Sequence, residues 1–500
     1  MIAAFVYFLI ILFFIYKNGL FGIFKDNKIS KGQFSLLFIF KCLAIPVFYW
    51  IYEAYYGGLE NFDAGLFFRD SKIINSIAYD DLGEYMKVLV GLHDESPGSL
   101  LYNSYLSGTN NWDEGRSWRL FFNDNRSMIR IHSVIHFISF NSYYVHALFS
   151  CLLGYIGIAF IYRSLKHVFV SKELFLLGAF VFLPNLWLFS GALLKEPIVL
   201  FNMGMIFLLT DKLFVQSIGA ARKAVYLGLI ICIIYYLKPQ ITGTVFILYV
   251  VYRSLSVFDM KRKGIYYLAS ILLITLIVNG VFLVTKKVSM ITFINKKQIE
   301  FYDVMKGGLF LKDEQKFVRL PYDRNLIQED TTRKEKNITI KPGVSFYYWE
   351  DVHQHDTLFC AGNTDTVTKF TMVYYITPAN SGFLMEPIQN DLTVVATIFK
   401  GFYSGLFYPI KFNSFINAIV SLENAFIMIC FLISIYGLVV CKNRMPILFF
   451  MSMVLVLVVL FSIATPNTGA IVRYRSIIVP FLILAAIYTL NKKDEAGGIR

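Results

Sequence analysis

An all-α integral membrane protein with about eleven transmembrane helices is the fold class this sequence predicts, on three observations. Of its 500 residues, 56% are hydrophobic and 16% charged, and mean hydropathy is +0.57. Several apolar runs reach the roughly 17–25 residues that a helix needs to cross a bilayer. Positive charge gathers at alternate ends of these runs. The segments that fall inside carry net +13, equal to the formal charge of the whole chain, whereas the first long outer loop is net −5. This is the positive-inside bias of a polytopic protein. A nucleic-acid binder carries its basic face on a soluble domain, so membrane lipids, and no nucleic acid, are the expected surroundings.

Span one, 2–16, has no positive charge before it and Lys17, Lys25, Lys28 and Lys31 after it, so its N-terminus lies outside and it is not a cleavable signal. Span two, 34–52, contains Lys41 in its inner third, expected to snorkel inward, and completes the segment 1–52. The first extracytoplasmic loop, 53–143, is too long for a connector and carries twelve acids against seven bases. Spans three to eight, at 144–162, 173–190, 197–214, 224–237, 240–254 and 265–285, fill 144–285. Their inner turns are marked by Arg163, Lys166 and Lys172, by Arg222 and Lys223, and by Arg253, Lys261, Arg262 and Lys263.

A second extracytoplasmic region, 286–415, is the most polar part of the chain, and its 296–369 reads as a small mixed domain. The apolar segment 392–410 reads as interfacial or re-entrant, because counting it as a span would put Lys442 and Arg444 outside. Spans nine to eleven, 418–440, 446–463 and 474–490, complete 416–500 and leave Lys492 and Lys493 inside, so the topology is N-out and C-in. No repeat is visible. The six cysteines contain no Cys-x-x-Cys spacing, which gives no sign of a disulfide framework or zinc site.

Two constellations could carry chemistry. Asp63 and Asp70 are seven apart, two helical turns or roughly 10.5 Å, and face the same way if helical. A carboxylate just past span two could act as general base on an acceptor hydroxyl; helix capping, or pairing with Arg69 and Lys72, is the plainer role. Lys195, Lys238, Arg473 and Arg475 lie at outer span ends, against the inward bias of positive charge. Such cations suit a phosphate or diphosphate; Lys195 pairing with Glu196, and the arginines with lipid phosphates, is the alternative.

Arg126 and Arg130 are weaker phosphate-site candidates. His132, His136 and His146 lack the partners of a metal motif, and Asp351, His353, His355 and Asp356 read as an exposed polar loop. No metal ligand set is assigned.

Three turns carry a resemblance. Tyr55-Tyr56-Gly57-Gly58 precedes Asp63 and Asp70. Trp187, Ser190-Gly191 and Lys195-Glu196 are followed by Lys238-Pro239. Asn467-Thr468-Gly469-Ala470-Ile471-Val472-Arg473-Tyr474-Arg475 stands before the last span. Together these resemble the outer turns of GT-C-type polytopic bacterial glycosyltransferases and envelope polysaccharide polymerases, although Leu59–Phe62 intervenes before the first Asp.

The resemblance implies an inverting transferase in the bacterial cytoplasmic (inner) membrane. Its donor is a polyprenyl-phosphate-linked sugar and its acceptor a glycan or a lipid-linked chain. Asp63, or Asp70, is then the base, flanked by interfacial helices at 73–92 and 128–142. Lys195, Lys238, Arg473 and Arg475 hold the phosphate. Members of that superfamily differ in whether they need a divalent metal, Mg or Mn. An O-antigen-polymerase-like protein would rest on arginine and be indifferent to Asp63. A transporter would show midplane charges and repeats, and a scaffold would tolerate loss of every charge named.

Overall fold

The computed structural model describes residues 2–94, 99–112, 124–215, 219–257, 262–287, 289, 391–464 and 468–497, together with six short strands between 317 and 376. They divide into two compact units. One comprises Met1–Thr275, Leu406–Val458 and Val472–Arg500, the other Leu276–Gly405 and Val459–Ile471.

The helices run α1 Ile2–Asn18, α2 Lys31–Cys42, α3 Ala44–Trp50, α4 Asp63–Asp80, α5 Leu82–Val90, α6 Leu100–Ser104, α7 Asp124–Ser139, α8 Tyr143–Leu165, α9 Glu173–Val181 and α10 Pro184–Phe189. They continue with α11 Lys195–Val215, α12 Ala220–Tyr236, α13 Pro239–Val257, α14 Lys263–Lys286, α15 Asp391–Phe407, α16 Phe415–Val440, α17 Met445–Ala464, α18 Thr468–Ser476 and α19 Val479–Gly497.

By length and composition, seven helices among the described residues can cross a membrane, or eight if the bent pair Gly469–Ser476 and Val479–Asn491 forms one span. The chain is a multi-pass helical membrane protein. The runs expected at 34–52, 144–162, 197–214, 240–254, 265–285, 418–440 and 446–463 each fall on one of the seven. Of the other expected spans, 474–490 falls across the break in the bent pair, and three are short or broken. Ile2–Asn18 and Ala220–Tyr236 are 17-residue helices. The run 173–190 breaks at Phe182-Leu183, because a residue before proline is driven to extended backbone and Pro184 then starts α10.

Local chemistry accounts for several boundaries. Ser30 Oγ accepts from the Gln33 amide at 3.2 Å while Gln33 Oε1 accepts from the Ser30 amide at 2.8 Å, a reciprocal cap that starts α2. The span continues through α3 into a π-helical turn, Ile51–Tyr55, and stops at Gly57 and Gly58, whose φ values of 79° and 123° suit only glycine. That stop frees the chain to turn into α4. Asp81 caps α5 by accepting from the Glu84 amide at 2.9 Å.

α8 and α11 cross in close contact in the first unit. A Cβ on Gly157 would lie 2.4 Å from the Leu200 carbonyl oxygen, and one on Gly204 would lie 2.3 Å from the Gly157 carbonyl oxygen. Small residues at the crossing let the backbones meet, as helices in lipid require. α11 is thereby held in depth, and with it Lys195 and Glu196 at its first turn.

Lys41 does not snorkel. Its side chain is fully buried, and Nζ donates to Ser190 Oγ, which itself donates to the Leu186 carbonyl. The hydroxyl at the end of α10 is its acceptor.

In the second unit, β1 Phe317–Pro321, β4 Ser345–Trp349, β5 Thr357–Cys360 and β6 Met372–Ile376 form a sheet of order β5-β4-β1-β6. β1 is antiparallel to β4, with Phe317 opposite Trp349, and parallel to β6, with Phe317 opposite Met372. β2 Ile327–Asp330 and β3 Asn337–Ile340 form a separate antiparallel pair.

Candidate functional site

Four helices of the first unit begin at one place. Asp63 opens α4, Asp124 opens α7, Lys195 and Glu196 open α11, and Lys238 stands directly before α13. Carboxylates at first turns offset the positive end of the helix dipole. Arg473 reaches the same place from α18.

Arg473 is the centre of the group. Its Nη1 donates to Asp63 Oδ2 at 2.9 Å. Its Nε lies 2.8 Å from Glu196 Oε1, an ion pair in which the N–H does not point along the contact. Asp124 joins the two lysines: its Oδ2 is 3.2 Å from Lys238 Nζ and 3.7 Å from Lys195 Nζ, and its Oδ1 accepts from the Lys238 amide at 3.3 Å. Lys195 Nζ also donates to Asn125 Oδ1 at 2.7 Å. Aromatic faces close the sides, with Lys238 Nζ 4.9 Å from the Tyr474 ring centre and Lys195 Nζ 5.7 Å from that of Phe67.

Three cations therefore meet three carboxylates, and formal charge balances. Burial alone would raise the Asp63 carboxyl, but the Arg473 charge and hydrogen bond, with Lys195 and Lys238 behind them, hold it below the ordinary carboxylate value. Asp124 is likewise pushed up by burial and pulled further down by Lys238 and Lys195. Burial would lower Lys238, yet its electrostatic interactions with the Tyr474 phenol and with Asp124 carry it above its usual value. Glu196 is the most deeply buried member: it is 1% exposed, and its Oε2 has no hydrogen-bond partner among the described residues.

Of the residues singled out in the sequence, Asp63, Lys195, Lys238 and Arg473 come together, from positions up to 410 residues apart. Asp70 is engaged elsewhere. It is wholly buried and accepts from the amides of Asn110 (3.1 Å) and Asn111 (2.6 Å), pinning the following loop against α4. Burial raises its carboxyl despite those bonds.

Arg475 turns to the carbonyls of Leu406 (3.1 Å) and Tyr408 (2.8 Å) and to Asn424 Oδ1 (2.5 Å). Arg126 and Arg130 lie over Trp112, with guanidinium carbons 5.1 and 5.3 Å from its ring centre, and Arg130 Nε donates to the Val88 carbonyl at 2.8 Å. Asp124 and Glu196 have no site role that the sequence alone assigns. The available signal is an acid in the first turn of a helix, next to a basic partner too close along the chain to bind it.

A second polar cluster lies beneath the loop. His132 Nδ1 and His146 Nδ1 are 3.1 Å apart, the His136 ring centre is 4.3 Å from that of His146, and His136 Nε2 contacts Ser71 Oγ at 3.0 Å. Burial lowers His132 to about 3 and His136 to about 4, so both are neutral at pH 7. Among the described residues no group of three or more His, Cys, Asp or Glu is arranged to hold a metal ion. The three clustered carboxylates each have a cationic partner already. These residues do not fit a divalent ion. Asp351, His353, His355 and Asp356 fall outside the described residues.

No protein-family model, curated protein or solved structure matches the chain.

Proposed function

We propose that the chain is a glycosyltransferase or glycan polymerase acting on a polyprenyl-phosphate-linked sugar at the outer face of the bacterial cytoplasmic membrane. In this reading the chain makes eleven passes, N-terminus out and C-terminus in, with the short helices Ile2–Asn18 and Ala220–Tyr236 and the broken run 173–190 counted as passes. The observation that carries the reading is the meeting of Asp63 with Lys195, Lys238 and Arg473 at a single end of the helical unit.

Asp63 takes the proton of an acceptor hydroxyl, whose oxygen attacks the anomeric carbon with inversion. The bond from that carbon to the phosphate oxygen breaks, and the lipid phosphate leaves with the electron pair, stabilised by the three cations. A carboxylate held low by Arg473 is a weak base, and the donor itself corrects this. Its phosphate draws Arg473 away from Asp63 and so restores the basicity of the carboxylate.

The test is Asp63→Asn beside Lys195→Ala, in a strain whose surface glycan depends on this gene, with membrane levels of each variant checked. Removing a general base costs about 10²–10⁴ in rate, so glycan is lost and lipid-linked precursor accumulates while the protein stays inserted. Normal glycan from both variants overturns the proposal. The central position of Arg473 supports a second reading, an arginine-based polymerase, under which Arg473→Lys is inactive and Asp63→Asn retains activity.

A further inference from the structure

At the opposite end of the first unit, α14 begins at Lys263, and the turn between α16 and α17 carries Lys442, Asn443 and Arg444. Between them lies a cavity of about 730 Å³. Arg262, Lys263, Lys442 and Arg444 line it, and no acidic residue among the described ones does. This volume is within the usual range of ligand pockets, roughly 300–1,000 Å³.

Four cations gathered round one cavity, with no acid in its lining, set this site apart from scattered inward-biased charge. Lys166 and Arg253, at the same end, each close on an acid, Asp26 and Asp211. None of the four cavity cations forms an ion pair among the described residues. Arg444 donates Nε to the Cys441 carbonyl (3.4 Å) and Nη2 to that of Val439 (3.2 Å), which fixes the guanidinium at the rim. The N-termini of α14 and α17 both open beside the cavity and add their positive dipole ends.

The lower wall is apolar. Leu268, Leu438 and Leu448 line it, and Leu268 (51% exposed) continues into Leu272 and Leu273 along the outward face of α14. A small inorganic anion has no use for that face. A molecule with an anionic head and a hydrocarbon tail uses both. Gly264 keeps the mouth open, for a Cβ there would stand 3.0 Å from Leu448 Cδ1.

We propose that this cavity binds the headgroup of an anionic phospholipid, with the phosphate among Arg262, Lys263, Lys442 and Arg444 and the acyl chains along α14. The proposal does not depend on the transferase reading. Its test uses the purified full chain in neutral detergent, titrated with phosphatidylglycerol, with phosphatidylcholine, and separately with inorganic phosphate, followed by thermal unfolding and by native mass spectrometry of retained lipid.

Phosphatidylglycerol binds and stabilises the wild type where phosphatidylcholine does not. Arg262→Gln/Arg444→Gln weakens that binding by about 30-fold, the loss expected for two surface cations. Lys172→Gln, a basic residue outside the cavity, leaves it unchanged. Should the double variant fail to fold, Gly264→Leu, which fills the mouth and keeps every charge, decides the matter by losing lipid in the same way. Equal retention of phosphatidylglycerol by wild type and folded variant overturns the proposal, as does stabilisation by inorganic phosphate alone.

Discussion

Removing Arg473 has a cost that can be apportioned between its two acids. Glu196 is 1% exposed, whereas the Asp63 side chain is 46% exposed. Water therefore screens the Asp63 pair, which is worth at most about 1 kcal/mol to stability. Glu196 has no such relief, and stripping a buried charge of its partner costs about 3–5 kcal/mol. Arg473→Met accordingly destabilises by about that amount, nearly all of it through Glu196.

Adding Glu196→Gln removes the stranded charge and recovers most of the loss, with a coupling energy of about 2 kcal/mol or more. Arg473→Lys falls between, since an ammonium cannot reach both carboxylates as the guanidinium fork does. The assay is thermal unfolding in micelles, followed by tryptophan fluorescence, across the four members of the cycle. Additive effects, or an Arg473→Met variant within about 1 kcal/mol of wild type, would refute this account of the centre.

Three further outcomes are expected. Gly157→Ala puts a Cβ 2.4 Å from the Leu200 carbonyl oxygen; forcing α8 and α11 apart costs about 1–3 kcal/mol, measured as a fall in unfolding temperature. Asp70→Asn weakens the acceptor for the Asn110 and Asn111 amides and costs about 1–3 kcal/mol, which limited proteolysis reports as faster cleavage near 106–112. Acid weakens the fold through the histidines. Because His132 and His136 titrate lower in the folded chain than in the unfolded one, their burial is unopposed above pH ~6.5, and stability is lost as pH falls from there toward about 4 for His136 and about 3 for His132. His132→Gln flattens that part of the pH profile.

Seven of the expected spans were legible because an apolar run of about twenty residues states its own length. The break at Pro184 was legible in principle, but its effect was masked by the unbroken apolarity of 173–190. Side-chain pairing was another matter. Asp63 and Asp70 share a helix as their spacing expects, yet nothing in seven residues reveals that one meets Arg473 and the other the amides of Asn110 and Asn111. Lys195 beside Glu196 invited a local pair, whereas helical geometry sends the two side chains apart, to Asp124 and to Arg473. Contacts across 70 to 410 residues leave no local period to read.

The buried Lys41 bears on how the protein is made. Its acceptor, Ser190, lies 149 residues later in the chain. When α2 and α3 first leave the ribosome, the lysine has no partner, and a charged side chain in mid-span costs about 2.5–3.5 kcal/mol to insert. The early span is held in the bilayer by its apolar side chains alone until α10 arrives. Release of nascent chains truncated before and after Ser190 would time that event, since chains ending short of it keep Lys41 reachable by an amine-directed reagent and longer ones do not.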